Sequence, residues 1–136
     1  SEDYYESLQK MAAGRNDIIF KRDPTEEVLL HAYRHGYVLL FPSLNEDWGM
    51  VPLEAMGFGK PVIAVNQGGP AESVIDGETG FLVEPEIEAF TTAMARLAAD
   101  PDLTRRLGLA GSRHVQQYDW SHFVGRLDAY LSSLKS

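Results

Sequence analysis

Short apolar runs alternate along this chain with stretches of helical periodicity, and this alternation is the strongest constraint on its fold. The apolar runs lie at residues 18–20, 37–41, 61–65 and 81–83. Strands that are separated by segments of helix length form right-handed β-α-β units, whose strands are parallel. The sequence therefore predicts an α/β fold in which a Rossmann-like parallel sheet carries flanking helices.

Two helices are predicted between the apolar runs. Residues 25–34 place apolar side chains at the spacing of one helix face, and Gly36 closes the segment. A second, very short helix is expected to begin near Pro52, because proline suits a first helical turn, and to end at Gly57 and Gly59.

Downstream of the fourth apolar run the pattern is helical throughout, which predicts an all-helical C-terminal tail. The tail comprises residues 87–99, a helix that begins at Asp100 and Pro101, and residues 120–134. We expect the apolar stripe of the first of these helices to lie in the core; it consists of Ile87, Phe90, Met94, Leu97 and Ala98.

The start of the chain interrupts the alternation. Residues 2–13 have a helical pattern, yet no apolar run precedes them. A β-α repeat that opens on its helix indicates that the first β-α unit is truncated and that the complete protein has upstream sequence. No internal repeat or composition break marks a linker, so residues 1–136 are taken as one domain.

Composition and charge restrict the classes of partner. With 136 residues, 44% of them hydrophobic and 24% charged, the chain can form a globular domain with its own core. Its formal net charge of -8 repels phosphate backbones and anionic lipid, which disfavours a general nucleic-acid or membrane-surface role. Cysteine and any apolar run of membrane-spanning length are absent. A cytoplasmic setting is the simplest interpretation, with any peripheral membrane contact coming from the upstream sequence.

The segment from Ser43 to Met50 follows the second apolar run, where the loops of a parallel sheet lead into helices and bind ligands. Gly49 lets the main chain approach a ligand closely. The helix that starts near Val51 offers N–H groups that have no partner within the helix. This arrangement predicts a small anion site.

Two glutamates, Glu46 and Glu54, flank this site. Backbone amides would hold a phosphate, whereas the carboxylates, on the loop and in the first helical turn, suit hydroxyl groups. A ligand with phosphate in the middle and polyols at both ends is a sugar nucleotide. The alternative is that Glu54 only favours the positive end of a short helix and Glu46 is a solvated charge. The same Glu-x7-Glu interval also occurs at Glu78 and Glu86.

A second loop follows the third apolar run at residues 66–72. Gly68 and Gly69 permit positive φ and expose amides to a ligand. Pro70 suits a helix start, which would place Glu72 in the first turn. Ligand contact and a tight β-α turn are both consistent with this segment.

Residues 41–85, FPSLNEDWGMVPLEAMGFGKPVIAVNQGGPAESVIDGETGFLVEP, contain six motifs in order. A Pro-Ser strand end leads to Glu-x7-Glu, an Ala-Met helix, a Gly-x-Pro-Val strand, a Gly-Gly-x-x-Glu turn and a closing Gly-Phe-Leu strand. Together they closely resemble the carboxyl-terminal, donor-binding domain of the retaining GT-B glycosyltransferases of family 4, also called group 1. The motifs cover about a third of the chain.

The resemblance implies a role for each matching residue. Glu54 would accept hydrogen bonds from the ribose hydroxyls. Glu46 would lie near the donor sugar as the catalytic residue, acting directly or by positioning. The amides around Gly49, Met50 and Val51 would meet the pyrophosphate and the sugar hydroxyls.

The resemblance also implies the kind of donor. A nucleoside-diphosphate sugar, UDP- or GDP-linked, would be cleaved with retention at the anomeric carbon, and neither a cofactor nor a metal ion is implied. Trp48 is a further candidate for donor contact, because an aromatic ring can stack on a sugar; packing beside the short helix is the alternative.

Two departures from the family pattern affect these roles. An Arg and a Lys that usually neutralise the pyrophosphate belong to a strand upstream of this chain. The family's Phe-x-Gly loop is here Phe20, Lys21 and Arg22, which leaves the base undetermined. The amino-terminal acceptor domain is absent too, so we expect the donor half of a larger transferase, inactive or nearly so by itself.

Two spacings that suggest metal binding have simpler interpretations. His31 and His35 are four residues apart, but no third ligand is evident, so surface histidines are expected. Asp100 and Asp102 form the Asp-x-Asp of metal-using transferases. Their place between two helices instead favours an N-cap followed by Pro101.

Two other functions compete with glycosyl transfer. One is a sugar-nucleotide-binding or interaction module that has no transfer reaction of its own. The other is glycoside hydrolysis by the carboxylate pair, which is weaker because hydrolysis does not need an anion site.

Overall fold

A computed structural model describes residues 2–42 and 50–117 of the chain. Contacts divide the chain into two units, Ser1–Ala32 and Tyr33–Ser136. In chain order, the helices and strands of the described residues are α1 (Glu2–Met11), α2 (Glu26–His35), β1 (Leu39–Phe41), α3 (Met50–Gly57), β2 (Val62–Val65), α4 (Gly68–Ser73), β3 (Gly80–Val83), α5 (Ile87–Ala99) and α6 (Pro101–Val115). The helix predicted at residues 120–134 lies outside the described residues.

The strands of the second unit form a parallel sheet with β2 in the centre. The strand order is β1-β2-β3, and the register aligns Leu39 with Val62 and Val62 with Gly80. All four residues of β2 are buried, with at most 1% of their surface exposed, as is typical of a parallel strand covered on both faces. The predicted α/β fold, a parallel sheet with flanking helices, is confirmed.

The strand predicted at residues 18–20 is wrong. These residues pair with no strand in the described part of the chain, and Ile18 and Ile19 are 45% and 75% exposed. A strand is stable only where a neighbouring strand satisfies its backbone hydrogen bonds, and an apolar run cannot supply that neighbour. Phe20 instead makes an edge-on contact with the ring of Tyr5 in α1, with 5.8 Å between the ring centroids.

A side-chain cap marks the start of α2. Thr25 precedes α2, and its hydroxyl accepts a hydrogen bond from the Val28 amide at 3.2 Å, which is typical of an N-cap. Helix α3 begins at Met50, two residues earlier than predicted, and Gly59 beyond its end has a φ of 74°. Helix α5 has the predicted bounds.

None of the helices in the described part of the chain is both long and apolar enough to cross a membrane.

One core cluster of the described residues lies between the sheet and the two helices that follow it. Ile63 of β2 and Phe81 of β3 are its sheet residues. The helices contribute four more buried side chains, Ala93, Leu97, Leu103 and Leu107. This cluster joins the sheet to the helical tail.

The core stripe predicted for α5 is wrong at three positions. Ile87 and Met94 are 86% and 45% exposed, and Ala98 is exposed as well. Leu97 is buried as predicted, and Ala93, four residues before it on the helix and absent from the predicted stripe, is buried as well. Amphipathic periodicity defines an apolar face, but it does not define which part of that face another element covers.

Helix α6 approaches the end of α3 through two glycines. A Cβ added at Gly108 would lie 2.1 Å from the carbonyl oxygen of Gly59. A Cβ added at Gly111 would lie 3.4 Å from the side chain of Met56, which is completely buried. The small residues therefore permit a close contact that fixes the position of α3.

Replacing Gly108 with alanine is expected to destabilise the fold by about 1–3 kcal/mol, because the added methyl group meets backbone atoms that cannot move aside. Urea unfolding followed by circular dichroism measures this loss. The matched control is Gly57→Ala, since a Cβ added at Gly57 has no atom within 4 Å. The control should leave the stability unchanged or raise it by up to about 1 kcal/mol. Equal unfolding midpoints for the two variants would contradict the proposed packing.

Candidate functional site

Helix α3 occupies the position predicted for the anion site. The connection that follows β1 leads into this helix at Met50, and Val51 is its second residue. The amides of a first helical turn have no acceptor within the helix, so they are available to an anion. The other predicted contacts of this loop, Glu46, Trp48 and Gly49, lie outside the described residues.

Glu54 is not in the first turn of α3, contrary to the prediction. The helix begins earlier than expected, which makes Glu54 its fifth residue, and the first turn contains no acidic residue. Attraction to the helix N-terminus falls off within the first turn, so it does not account for this side chain. The Glu54 Oε2 atom instead accepts a hydrogen bond from the hydroxyl of Tyr33 at 2.9 Å.

Tyr33 is held by packing as well as by this hydrogen bond. It lies in the last turn of α2, only 8% exposed, and its ring stacks on that of Phe58, with 5.4 Å between centroids and 11° between planes. The sequence pattern places Tyr33 on the apolar face of α2 but does not identify it as the partner of Glu54. One clue was available, since a buried tyrosine hydroxyl usually has a hydrogen-bond partner.

The second loop, residues 66–72, contains both buried and exposed residues. Gly69 and Pro70 are buried in α4, and the Ser73 hydroxyl donates a hydrogen bond to the Gly69 carbonyl at 3.0 Å. Gly68, with a φ of 62°, is exposed. The prediction that Glu72 lies in the first turn is wrong, because α4 begins two residues before Pro70. Gly69 and Pro70 therefore belong to the packed first turn of α4, and ligand contact at the exposed Gly68 stays a prediction.

An apolar groove of about 430 Å³ lies at the ends of the strands. Pro42 follows β1, Val65 ends β2, and Pro85 follows β3. Helix α5 contributes most of the opposite wall, through Ile87, Phe90, Thr91 and Met94. Its lining suits an apolar group better than a phosphate, and it does not include Glu54.

Neither of the two residue pairs whose spacing suggested metal binding belongs to a metal cluster in the described residues. Residues 2–42 and 50–117 contain no group of three or more His, Cys, Asp or Glu side chains able to hold an ion. His31 and His35 are exposed on α2. The Asp100 side chain accepts a hydrogen bond from the Leu103 amide at 3.0 Å, with Pro101 as the first helical residue. The N-cap interpretation of Asp100 is confirmed.

The fold and the sequence define this chain as a glycosyltransferase domain. It belongs to the family glycosyl transferases group 1, which matches residues 1–114. It is 40% identical over 136 residues to a D-inositol 3-phosphate glycosyltransferase of Streptomyces avermitilis, covering 96% of this chain and 29% of that protein. It is 35% identical over 136 residues to the alpha-1,3/1,6-mannosyltransferase ALG2 of Mus musculus, covering 97% and 33%. The chain thus spans about a third of the length of these relatives.

Several solved structures share the fold. Sucrose-phosphate synthase from Thermosynechococcus elongatus aligns with a TM-score of 0.79 and 33% identity, covering 97% of this chain and 34% of that one. Anabaena HepE, solved in complex with UDP, aligns with a TM-score of 0.79 and 25% identity, covering 97% and 37%. HepE has also been solved in complex with UDP-glucose. The C-terminal domain of the group 1 protein LpcC from Francisella tularensis aligns with a TM-score of 0.67 and 28% identity, covering 85% and 60%.

Replacing Asp100 with alanine is expected to cost about 1 kcal/mol of stability, because the first turn of α6 loses its cap. Thermal unfolding with and without Mn²⁺ measures both the loss and any metal effect, which a capping aspartate should not show. Asp102→Ala is the control, since Asp102 makes an exposed ion pair with Arg105 and its loss should cost less. A Mn²⁺-dependent midpoint that Asp100→Ala abolishes would contradict this assignment.

Proposed function

We propose that this chain is the donor-binding domain of a retaining family 4 glycosyltransferase, and that it binds a nucleoside-diphosphate sugar for transfer to an acceptor. The observation that carries the proposal is the Glu54 carboxylate on α3, held by the Tyr33 hydroxyl at 2.9 Å. It lies one helical turn beyond Met50 and Val51, whose amides start the helix. Donors for phosphate and an acceptor for hydroxyl groups thus belong to one short helix.

The backbone amides and the carboxylate would bind different parts of the ligand. The amides of Met50 and Val51, with Gly49 before them, would hold the pyrophosphate at the positive end of α3. Glu54 would accept hydrogen bonds from the ribose hydroxyls. Glu46 is proposed as the catalytic residue near the donor sugar, and Trp48 as a further donor contact. The chain has a formal net charge of -8, so its overall field does not attract the anion and this local capture is required.

The relatives support a hexosyl donor, and the nucleotide that their structures name is UDP; we propose a donor linked to UDP or GDP. HepE structures hold UDP and UDP-glucose, and the ALG2 relative is a mannosyltransferase. We propose that backbone amides stabilise the leaving diphosphate without a metal ion or other cofactor, since preorganised donors aimed at developing charge are effective in an active site.

The acceptor domain is proposed to lie in the part of such a protein that this chain does not span. The chain alone would then bind donor but transfer sugar poorly or not at all.

Calorimetric titration with UDP, GDP and ADP tests donor binding. The unmodified chain should bind at least one of them, and Glu54→Ala should weaken that binding by about tenfold or more, because hydrogen bonds to a charged group are lost. The C-terminal domain of a group 1 protein has been crystallised separately, and this chain aligns with 60% of it.

The control is Glu78→Ala, an exposed glutamate from the pair that has the same Glu-x7-Glu interval. It should leave the affinity unchanged. No binding to any of the three nucleotides, or equal weakening by both variants, would overturn the proposal. A chain that binds donor but transfers no sugar when joined to an acceptor domain would instead be a non-catalytic binding module.

A further inference from the structure

We propose that Tyr33 is a positioning residue for donor recognition, and that its hydroxyl holds the Glu54 carboxylate in the orientation that accepts the two ribose hydroxyls. This inference rests on the proposed function and assigns a specificity role to a residue of a different helix. The hydrogen bond joins the Tyr33 hydroxyl to Glu54 Oε2 at 2.9 Å. Its consequence is selectivity for ribose over sugars that lack those hydroxyls.

The side chain of Tyr33, which donates this hydrogen bond, is rigid. Tyr33 is 8% exposed, and its ring lies nearly parallel to that of Phe58, at 11°. Phe58 follows α3 directly, and its amide donates to the Glu54 carbonyl at 3.3 Å. The ring stack and the hydrogen bond therefore connect the end of α2 to both ends of one short segment, from Glu54 to Phe58.

Rigidity at the hydroxyl restricts the carboxylate. A glutamate side chain loses rotamer entropy when it is fixed in one conformation. A side chain that is already fixed before the ligand arrives does not incur that cost on binding. We therefore expect Tyr33 to strengthen ribose binding without any contact between Tyr33 and the ligand.

The chemistry of the carboxylate and the hydroxyl groups decides which of them donates each hydrogen bond and which accepts it. An ionised carboxylate only accepts hydrogen bonds, and it has about four acceptor positions on its two oxygens. The Tyr33 hydroxyl uses one position on Oε2, and the described residues leave Oε1 and the other position on Oε2 available to a ligand. Both ribose hydroxyls must then act as donors to Glu54. A ligand without them gains nothing from the alignment of this carboxylate.

The test compares Tyr33→Phe with the unmodified chain for two pairs of ligands. The pairs are UDP with 2′,3′-dideoxy-UDP, and GDP with 2′,3′-dideoxy-GDP, each titrated calorimetrically. Phenylalanine keeps the ring stacked on Phe58 and removes only the hydroxyl. We expect the variant to bind the ribonucleotide about threefold to tenfold more weakly and the dideoxy analogue equally well. In a Glu54→Ala background, Tyr33→Phe should have no further effect on either ligand.

Tyr37→Phe is the matched control, because the Tyr37 hydroxyl also donates one hydrogen bond, to the Leu97 carbonyl at 3.1 Å. It should leave the affinity for all four ligands unchanged. Thermal unfolding of each variant measures any general loss of stability, which would weaken both members of a ligand pair equally.

The outcomes separate the two proposals. Binding that Glu54→Ala weakens, with no difference between ribose and dideoxy ligands in the effect of Tyr33→Phe, overturns the role of Tyr33 and leaves the proposed function intact. Absence of binding by the unmodified chain overturns both. A selective loss for the ribonucleotide that Tyr37→Phe does not share supports the assignment.

Discussion

Strand β2 pairs through its backbone with β1 on one side and β3 on the other, and its four residues are almost completely buried. Because parallel strands are stable mainly where both faces are covered, this burial requires helices on either side of the sheet. Ile63 provides one such contact, in the core cluster with α5 and α6. The connections into and out of β2 must therefore be helices that pack closely, and α3 is the first of them.

Helix α3 combines a structural and a chemical role. Its buried residue Met56 faces Gly111 of α6, and the turn after it contacts Gly108. Its other end begins at Met50, where the amides of the first turn have no acceptor within the helix. The rigid packing at one end thus fixes the direction in which the other end presents its amides. Glu54 lies between these ends, and its hydrogen bond to Tyr33 adds a contact from α2.

Much of the fold could be predicted because local rules and tertiary packing agree. The bounds of α5 and the capping of α6 by Asp100 follow from periodicity and from the chemistry of a single side chain. The predictions that are wrong depend on distant partners. Residues 18–20 have the composition of a strand, but no described strand pairs with them, and Ile87 is apolar yet 86% exposed.

The sequence by itself determined the alternation of strands and helices over residues 37–99, the group 1 family and the presence of Glu54 on the helix after β1, since motifs and short-range periodicity specify these features. Only the tertiary structure decided which side chain holds that carboxylate. Tyr33 and Glu54 are separated by 21 residues and belong to two different helices. Neither periodicity nor a motif relates such positions, because their distance depends on how the whole sheet packs.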